Sequence, residues 1–322
     1  MALSIKQQLN SPGGLLKFLV KYNTIFIFVL LVIFSAIISD VFFTSANLSN
    51  LLKQVSGIGI ISIGMLIVIL TGGIDLSVGS MVALLAVIFA MLINVIILPL
   101  AILFTICIGF GLGSISGYLV AFQKMAPFVA TLALMTIARG LGFIYSNGSP
   151  VTFKTAGGVF MSDFANNSTL GLPNISIIFF LVVIIAMIML KYNVFGRLVI
   201  AIGSNEEAAR LSGIKVNKYK FLVYAISGAL AAVAAIVVAS RTNLGSPNMG
   251  MAWELDAIAA VVIGGASLNG GRGTAINTLM GVLILGLIGN ILNLLNVPSY
   301  PQQVVKGAII IFAVLLQRFE SK

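Results

Sequence analysis

Histidine is absent from this chain of 322 residues, and cysteine occurs once, as Cys107. Without histidine there can be no Ser-His-Asp or Cys-His triad, no His-ligated zinc or haem, and no histidine proton relay. A single cysteine, lying in an apolar run, also excludes an intramolecular disulfide and a cysteine cluster for zinc. Enzyme chemistry that depends on these two residue types is therefore excluded.

Charged residues are equally scarce, since Asp, Glu, Lys and Arg make up 8% of the chain against 60% hydrophobic residues. A soluble domain carries about 25% charge, so this composition cannot coat a globular surface. The formal net charge of +10 could attract nucleic acid, but the basic residues do not cluster on one soluble face as that binding requires. We therefore predict an integral membrane protein without a nucleic-acid partner.

Apolar runs long enough to cross a bilayer recur along the chain. A hydrocarbon core about 30 Å thick needs roughly 20 apolar residues per helix. The runs lie near 22–39, 54–71, 78–98, 100–123, 127–145, 175–190, 221–240, 255–267, 274–295 and 303–317. The predicted fold is an all-α polytopic membrane protein with about ten transmembrane helices, some of them interrupted, in one transmembrane domain over 1–322.

The positions of Lys and Arg predict the orientation, because basic residues concentrate on the cytoplasmic side. With the N-terminus inside, most of the 18 basic residues lie inside. Those outside are Lys53, Lys154 and Arg241. Both termini are then cytoplasmic, with 1–21 as a cytoplasmic segment, 146–174 as a periplasmic or extracellular loop and 191–220 as a cytoplasmic loop that contacts lipid or a partner.

The cytoplasmic loop between the sixth and seventh runs contains a short helix with both ends marked. Ser204 can cap its start while Glu207 reaches back, as in an S-x-x-E capping box, and Gly213 suits the left-handed position at its end. Glu206 and Arg210 are four residues apart and can pair on one face. A helix this short is marginal alone, so it packs either on its own membrane domain and the lipid interface, or into a cytosolic partner as a lever.

Two of the apolar stretches are interrupted by glycine-rich segments. Both contain the pattern G-G-x-x-L-x-x-G, which begins at Gly72 in the first segment and at Gly264 in the second. Broken helices expose backbone groups and helix-dipole ends to a cavity, which is typical of a translocation site. We predict that the pathway or its gate includes Gly72, Gly73, Asp75, Ser77, Gly79, Gly264, Gly265, Ser267 and Asn269.

Two charged residues in the predicted bundle each have a structural and a functional interpretation. Asp75 can cap the start of the third span, with Ser77 as a competing cap, or it can contact substrate. Arg139 is costly to place inside a membrane and should face protein or water. It is an internal strut in the first interpretation and a ligand contact in the second.

Several motifs together resemble the signature of the ribose-type permeases of bacterial ABC sugar importers, within the branched-chain amino acid/ribose permease superfamily. These motifs occupy 69–80, 126–132, 145–150, 205–214 and 254–273, and they occur in the family's order over nearly the whole chain. The chain departs from the family pattern at Trp253, where Tyr is expected, and at Ala266, where Thr or Val is commoner. Pro301 adds a second proline to the segment 298–301.

The resemblance implies the permease subunit of an importer in the bacterial cytoplasmic membrane. Two copies of the chain would form the pathway, and a periplasmic or extracellular binding protein would deliver the sugar. A cytosolic ATPase would use ATP-Mg and contact the coupling loop, which corresponds here to Ser204, Asn205, Glu206, Glu207, Ala208, Ala209, Arg210, Leu211 and Gly213. Ribose is the first expectation, whereas other pentoses, galactosides and the furanose-derived autoinducer use permeases of the same build.

Energy is expected to come from outside this chain. A phosphate-binding loop reads G-x-x-x-x-G-K-[ST], and the nearest approach, 265–272, lacks the lysine and follows a membrane span. We therefore expect no cofactor in this chain and no enzyme activity. An ion-coupled secondary sugar carrier would need protonatable groups in the bundle, of which only Asp75 is an obvious acid, and a receptor or scaffold would leave the paired interruptions unexplained.

Overall fold

The computed structural model describes residues 23–320, so the predicted cytoplasmic segment 1–21 and the last two residues lie outside the described residues. Within this range the chain forms thirteen helices and four two-residue strands. The helices are α1 Asn23–Ile38, α2 Ser45–Ile69, α3 Val78–Ile93, α4 Leu98–Ala121, α5 Pro127–Ser146, α6 Ala156–Asn166, α7 Asn174–Tyr192, α8 Val194–Ser204, α9 Glu206–Leu211, α10 Val216–Thr242, α11 Trp253–Ile263, α12 Ala275–Leu294 and α13 Ser299–Glu320. The strands are β1 Val151–Thr152, β2 Ser168–Thr169, β3 Leu172–Pro173 and β4 Leu244–Gly245.

Several helices begin where the sequence supplies a start signal. Thr44, Thr155 and Thr274 each accept a hydrogen bond from the backbone N–H three residues ahead, at the starts of α2, α6 and α12. Such caps satisfy N–H groups that the first turn of a helix leaves without a partner. Pro99 and Pro127 lie in the first turns of α4 and α5, where the missing N–H of proline costs nothing.

Six of the described helices are long and apolar enough to cross a membrane, namely α2, α4, α5, α7, α10 and α12. The prediction of an all-α polytopic membrane protein is thereby confirmed, while the number of about ten crossings stays a prediction. Two predicted spans are short for a crossing, since α3 has 16 residues and α11 has 11. At 1.5 Å per residue these helices rise about 24 and 16 Å, against a hydrocarbon core of about 30 Å.

The centre of the bundle is formed by α2 and α10, which run antiparallel. Gly64 of α2 lies against Ser227 of α10, and Gly57, nearer the start of α2, lies against Val238, nearer the end of α10. The second half of α2 is almost entirely buried. Such close approach through small residues is how helices associate in a membrane, where burial of apolar surface gives no advantage over lipid.

α4 lies against α10 even more closely. A Cβ on Gly113 would be 2.2 Å from the Tyr224 carbonyl oxygen, and a Cβ on Gly117 would be 2.6 Å from the Phe221 carbonyl oxygen. Gly228 of α10 meets the backbone of α4 in the same way, so the two helices touch backbone to backbone. Glycine is required at these positions for packing rather than for chain flexibility.

One end of the bundle carries the paired strands. β1 and β4 pair antiparallel, and the side chain of Asn94, just after α3, bonds to the backbone of Thr152 and Lys154. Lys53 donates from Nζ to the carbonyl oxygen of Asn166 at 2.8 Å. We call this the strand end, and it gathers segments that the charge pattern places outside the membrane.

The opposite end joins three other connections. Lys124 donates from Nζ to Asn217 Oδ1 at 2.7 Å, and the backbone N–H of Gly271 donates to the Leu70 carbonyl oxygen at 3.0 Å. We call this the coupling end, and it gathers segments that the charge pattern places in the cytoplasm. The contacts agree with the predicted division of loops, whereas the side of the membrane that each end faces stays a prediction.

α3 and α11 both begin inside the bundle, and their first turns meet there. A Cβ on Gly79, the second residue of α3, would lie 2.3 Å from Oε2 of Glu254, the second residue of α11. It would also lie 2.4 Å from the Gly250 carbonyl oxygen. From this point α3 runs to the strand end, and α11 runs to the coupling end.

The two short helices complete a pair of inverted units. α2 descends from the strand end and turns back at 70–77 into α3, while α10 runs the other way and turns back at 243–252 into α11. Because α2 and α10 are antiparallel, the unit α2–α3 and the unit α10–α11 have opposite orientations, an arrangement typical of transporters. The structural counterpart of 70–77 is therefore 243–252, and the glycine pattern shared with 264–271 does not mark this repeat.

Candidate functional site

The cytoplasmic loop predicted from sequence forms two helices, α8 and α9, rather than one. The cap of α9 is Asn205, whose extended backbone has φ −160° and whose Oδ1 accepts from the Ala208 N–H at 2.9 Å. The prediction that Ser204 caps this helix within a capping box is wrong, because Ser204 still belongs to the last turn of α8. Its hydroxyl donates back to the Ile200 carbonyl oxygen at 2.9 Å.

One face of α9 packs on the protein and the other is open. Ala209 is buried with Ile202 of α8 and Val216 of α10 in a small apolar cluster. Leu211 is 81% exposed, and Gly213 ends the helix with φ +81°, as the sequence predicts. Both interpretations of this helix therefore have support, since its own domain anchors one face and leaves a large apolar side chain available on the other.

Glu206 ties α9 to its surroundings through two cations. Its carboxylate accepts from Arg210 Nη2 at 3.0 Å, which confirms the predicted pairing, and from Lys220 Nζ of α10 at 2.5 Å. Burial alone would raise the pKa of Glu206, but the hydrogen bonds and charges of Lys220 and Arg210 outweigh it and hold the pKa below its ordinary value. The charged form of Glu206 is therefore the one that fixes the orientation of α9.

Glu206→Gln is expected to lower the unfolding temperature of the protein, and the size of this decrease should depend on pH. A carboxylate whose pKa is lowered by folding stabilises the folded protein. This stabilisation is complete at pH values above the ordinary pKa of the carboxylate, and it disappears as the pH falls through the lowered pKa. We expect a difference of at most about 1 kcal/mol at neutral pH, because the pairs are partly exposed. The unfolding temperatures of the wild type and of Glu206→Gln, measured at a series of acidic pH values, test this prediction. Glu207→Gln, at an exposed position, is the control. A difference that persists at the most acidic pH would contradict it.

The end of α8 touches both glycine-rich interruptions at once. A Cβ on Gly203 would lie 1.8 Å from the Leu70 carbonyl oxygen and 2.6 Å from the Gly271 nitrogen. Gly270, with φ +91°, lies against the backbones of Gly203 in α8 and Gly72 in the first interruption. A Cβ on Gly271 would approach Ser204 Oγ to 2.5 Å. We call this three-way backbone contact the glycine junction.

The glycine junction brings together predicted pathway residues from two glycine-rich segments that are far apart in the sequence. Gly72, with φ +76°, lies beside the Asn269 carbonyl oxygen, so the two interruptions are in contact. Ser267 and Asn269 belong to a tight turn in which the Ser267 N–H donates to the Arg272 carbonyl oxygen. A displacement of α8 is therefore expected to move the ends of α2 and α11 as well, because Gly203 meets Leu70 and Gly271 backbone to backbone.

Asp75 is fully buried and accepts three hydrogen bonds. Oδ1 accepts from the Ser77 N–H at 3.0 Å and the Ser77 hydroxyl at 2.5 Å, and Oδ2 accepts from the Ser227 hydroxyl of α10 at 2.9 Å. Asp75 thus holds the turn just before α3, whereas the prediction that Asp75 itself caps this helix is wrong, because the N-cap residue is Ser77. Ser77 occupies the N-cap position of α3, as the alternative predicts, but its hydroxyl donates to Asp75 and makes no capping bond.

Tyr224 adds to the enclosure of this turn. Its hydroxyl donates to the Ile74 carbonyl oxygen at 3.4 Å, and a Cβ on Gly73 would lie 2.4 Å from the same hydroxyl oxygen. α10 therefore fixes the segment 73–77 from two turns of one face, through Tyr224 and Ser227. A substrate can reach Asp75 only if this cluster opens.

The segment before α11 is held by Arg139. Its Nη1 donates to the Pro247 carbonyl oxygen at 2.7 Å and to the Met249 carbonyl oxygen at 2.8 Å. The interpretation of Arg139 as an internal strut is thus confirmed. Irregular backbone at membrane depth needs such partners for its carbonyl groups, and a guanidinium supplies several donors in a fixed geometry.

The turn at 243–252 contains no glycine pair of the kind that marks the two interruptions in the sequence. The only local signals are Gly245, Pro247 and Gly250, spread over six residues. Their roles depend on tertiary contacts, since Gly245 lies against the Ala86 backbone and Gly250, with φ +65°, lies against Gly79. Trp253, where the chain departs from the family pattern, begins α11 and packs its ring on Gly57.

The remaining predicted pathway residues lie near the end of α11. A Cβ on Gly264 would be 2.5 Å from the Asn277 carbonyl oxygen of α12, whereas Gly265, with φ +80°, has open space beside it. Among residues 23–320, no three side chains of the types that bind metal ions come together.

Comparison with known proteins places these features in a family. A family model described as the branched-chain amino acid transport system / permease component matches residues 47–314. The ribose import permease protein RbsC of Bacillus subtilis is 45% identical over 91% of both chains, and RbsC of Haemophilus influenzae is 41% identical over 94% of both. The L-arabinose transport system permease protein AraH of Escherichia coli is 36% identical over 94% of this chain and 92% of its own. No solved structure matches the chain.

Proposed function

Because the chain belongs to the branched-chain amino acid transport system / permease component family, we propose that it is the membrane-spanning permease subunit of a bacterial ABC importer for ribose. The observation that carries this proposal is the similarity to ribose import permeases along more than nine-tenths of the chain. The similarity to the arabinose permease covers as much of the chain at lower identity. Six apolar helices agree with a place in the cytoplasmic membrane.

The proposed complex contains three further components. A second copy of this chain completes the pathway, a cytosolic ATPase binds and hydrolyses ATP-Mg, and a periplasmic or extracellular protein delivers the sugar. The permease domain spans 1–322 and crosses the membrane about ten times with both termini in the cytoplasm. The coupling end then faces the ATPase, and the strand end, with 146–174, faces the binding protein.

α9 is the proposed contact with the ATPase. Leu211 gives it an exposed apolar side chain that can fill a pocket in a partner, and the pairing of Glu206 with Lys220 holds the helix in a fixed orientation. Movement of α9 is passed through α8 to the glycine junction. From there it reaches the predicted gating residues of the two interruptions, of which Gly72 and Asn269 already touch.

Leu211→Glu is expected to uncouple the importer without unfolding the permease. The side chain is 81% exposed, so the substitution costs little within this chain, but it places a charge in an apolar contact with the ATPase. We expect sugar-dependent ATP hydrolysis to fall about thirtyfold, since a central apolar anchor contributes about 2 kcal/mol. Leu211→Met, which keeps an apolar side chain at the same exposed position, is the matched control. Equal ATP hydrolysis in the two variants would contradict the proposed contact.

Reconstitution tests the function itself. The chain is placed in liposomes with the ATPase and the binding protein encoded beside it, and radiolabelled ribose, arabinose and xylose are offered with and without ATP. We expect uptake of ribose that requires ATP and persists when ion gradients are abolished. Uptake that continues without ATP and collapses with the ion gradient would instead identify a secondary carrier.

A further inference from the structure

A basic pocket lies at the coupling end, between α8, the loop that follows α9 and the first turn of α10. Its walls combine two lysines and two hydroxyl-bearing residues with apolar side chains, namely Lys215, Lys218, Ser212, Tyr219, Leu198 and Ile214. Its volume is about 270 Å³, close to the roughly 300 Å³ at which small-molecule sites begin. No residue of the glycine junction lines it, so the pocket is a separate feature of this end.

Lys215 and Lys218 bring two positive charges to this pocket without an acidic partner. Both are exposed, and the ion pairs among residues 23–320 are those of Glu206 with Arg210 and Lys220. The first turn of α10 contains no acidic residue. Like charges so close along a helix repel each other, and an anion bound between the two ammonium groups would relieve this repulsion.

The remaining walls favour an anion that carries an apolar part. Each lysine offers three N–H donors, which suit the oxygens of a phosphate group, and the ring of Tyr219 is held by Phe195 of α8 at 5.9 Å between centroids. Leu198 and Ile214 give the pocket an apolar wall. A free inorganic ion makes no use of such a wall, whereas the glycerol and first methylene groups of a phospholipid can pack on it.

Aromatic side chains place the start of α10 at the membrane surface. Tyr118 and Phe122, at the end of α4, are exposed, and the ring of Phe122 lies 6.2 Å from that of Phe221 in α10. Exposed aromatic residues at the end of a membrane helix are typical of the headgroup level. Lys124 bonds to Asn217 at the same level, so the pocket beside this turn is within reach of lipid headgroups.

The pocket also adjoins the end of an apolar membrane helix. α8 folds back on the end of α7, where a Cβ on Gly196 would overlap the backbone of Met189, and Leu198 lies two residues further along α8. Tyr192 and Val194, at this connection, are exposed. Most of the apolar surface of α7 is likewise not buried within the chain, so lipid can approach the pocket along this side.

We infer that this pocket binds the phosphate group of an anionic phospholipid, in the leaflet at the coupling end. Lys215 and Lys218 bind the phosphate oxygens, while Leu198 and Ile214 contact the glycerol region. The segment 191–220, with six basic and two acidic residues, attracts anionic lipids to this surface. The inference goes beyond the proposed function, because it involves neither the sugar nor the ATPase.

Counting bound lipid is the first test. The full-length permease is purified in detergent, phosphatidylglycerol or phosphatidylcholine is added, and native mass spectrometry gives the fraction of protein that carries one lipid. We expect the affinity for phosphatidylglycerol to fall about tenfold or more in Lys215→Gln/Lys218→Gln, which corresponds to about 1.4 kcal/mol. Lys191→Gln/Arg197→Gln removes two charges from the same segment but outside the pocket, and this matched control should keep most of the wild-type affinity.

Protection of a cysteine is the second test and leaves both lysines in place. In a Cys107→Ser background, Ser212→Cys is placed in the pocket and reacts with an uncharged, water-soluble maleimide in lipid nanodiscs. We expect this reaction to be severalfold slower in nanodiscs that contain phosphatidylglycerol than in phosphatidylcholine alone, because bound lipid covers the thiol. Ala208→Cys, at an exposed position of α9 outside the pocket, should react at the same rate in both.

Other occupants of the pocket give different results, each of which would overturn the inference. Equal losses of phosphatidylglycerol binding in the two double variants would indicate attraction to surface charge in general. Protection of Ser212→Cys by inorganic phosphate to the same extent would identify a site for a free anion. Protection that appears only when the ATPase is added would make the partner protein the occupant. If Lys215→Gln/Lys218→Gln does not fold, the protection experiment decides. Because both tests use the permease alone, failure of the lipid site leaves the proposed function untouched.

Discussion

Replacing Gly203 with alanine is expected to reduce ATP-driven sugar uptake about tenfold or more. The added Cβ would lie 1.8 Å from the Leu70 carbonyl oxygen and 2.6 Å from the Gly271 nitrogen. Both are backbone atoms, so no side-chain rotation can relieve the overlap, and α8 must move away from both interruptions. Overpacking of this kind costs about 1–3 kcal/mol, and it disrupts the glycine junction.

The measurement is the amount of ribose imported per ATP hydrolysed in the reconstituted complex. Gly111→Ala serves as the control, because a Cβ there meets nothing within 4 Å. Circular dichroism and size-exclusion profiles show whether each variant is folded. A Gly203→Ala protein that transports at the wild-type ratio would show that movement is not transmitted through the glycine junction.

Replacing Asp75 with leucine is expected to destabilise the permease by about 3 kcal/mol or more. The substitution leaves the hydroxyls of Ser77 and Ser227 and the Ser77 N–H without their acceptor in a fully buried place. Each buried donor left without a partner costs about 1–3 kcal/mol. The unfolding temperature of the purified protein in detergent measures the loss.

Asp75→Asn separates the structural role of this residue from a role for its charge. The amide oxygen can still accept from Ser77, and the amide nitrogen can donate to the hydroxyl of Ser227, so we expect most of the stability to remain. Transport should then remain near the wild-type rate. A stable Asp75→Asn protein that does not transport would contradict the structural interpretation and favour a function for the negative charge.

The sequence was sufficient to predict the features that depend on local or additive properties. Apolar runs locate the long helices, Pro127 lies in the first turn of α5, and Gly213 occupies the left-handed position at the end of α9. The pairing of Glu206 with Arg210 follows from helix geometry alone. These features need no knowledge of what lies across the bundle.

The parts that sequence reasoning missed depend on contacts between distant segments. Ser204 and Asn205 are both good cap residues, and the choice between them depends on how far α8 extends, which a local pattern does not contain. The turn at 243–252 is stabilised by Arg139, about a hundred residues earlier.

α3 connects the turn held by Asp75, inside the bundle, with the strand end through one rigid element. It begins beside the turn held by Asp75, next to the glycine junction, and ends where the side chain of Asn94 bonds to the backbone of Thr152 and Lys154. Its 16 residues span about 24 Å. A free energy of coupling between two sites acts equally in both directions. In the proposed importer, any factor by which the ATPase alters docking of the sugar-loaded protein at the strand end must therefore equal the factor by which that docking alters the ATPase's affinity.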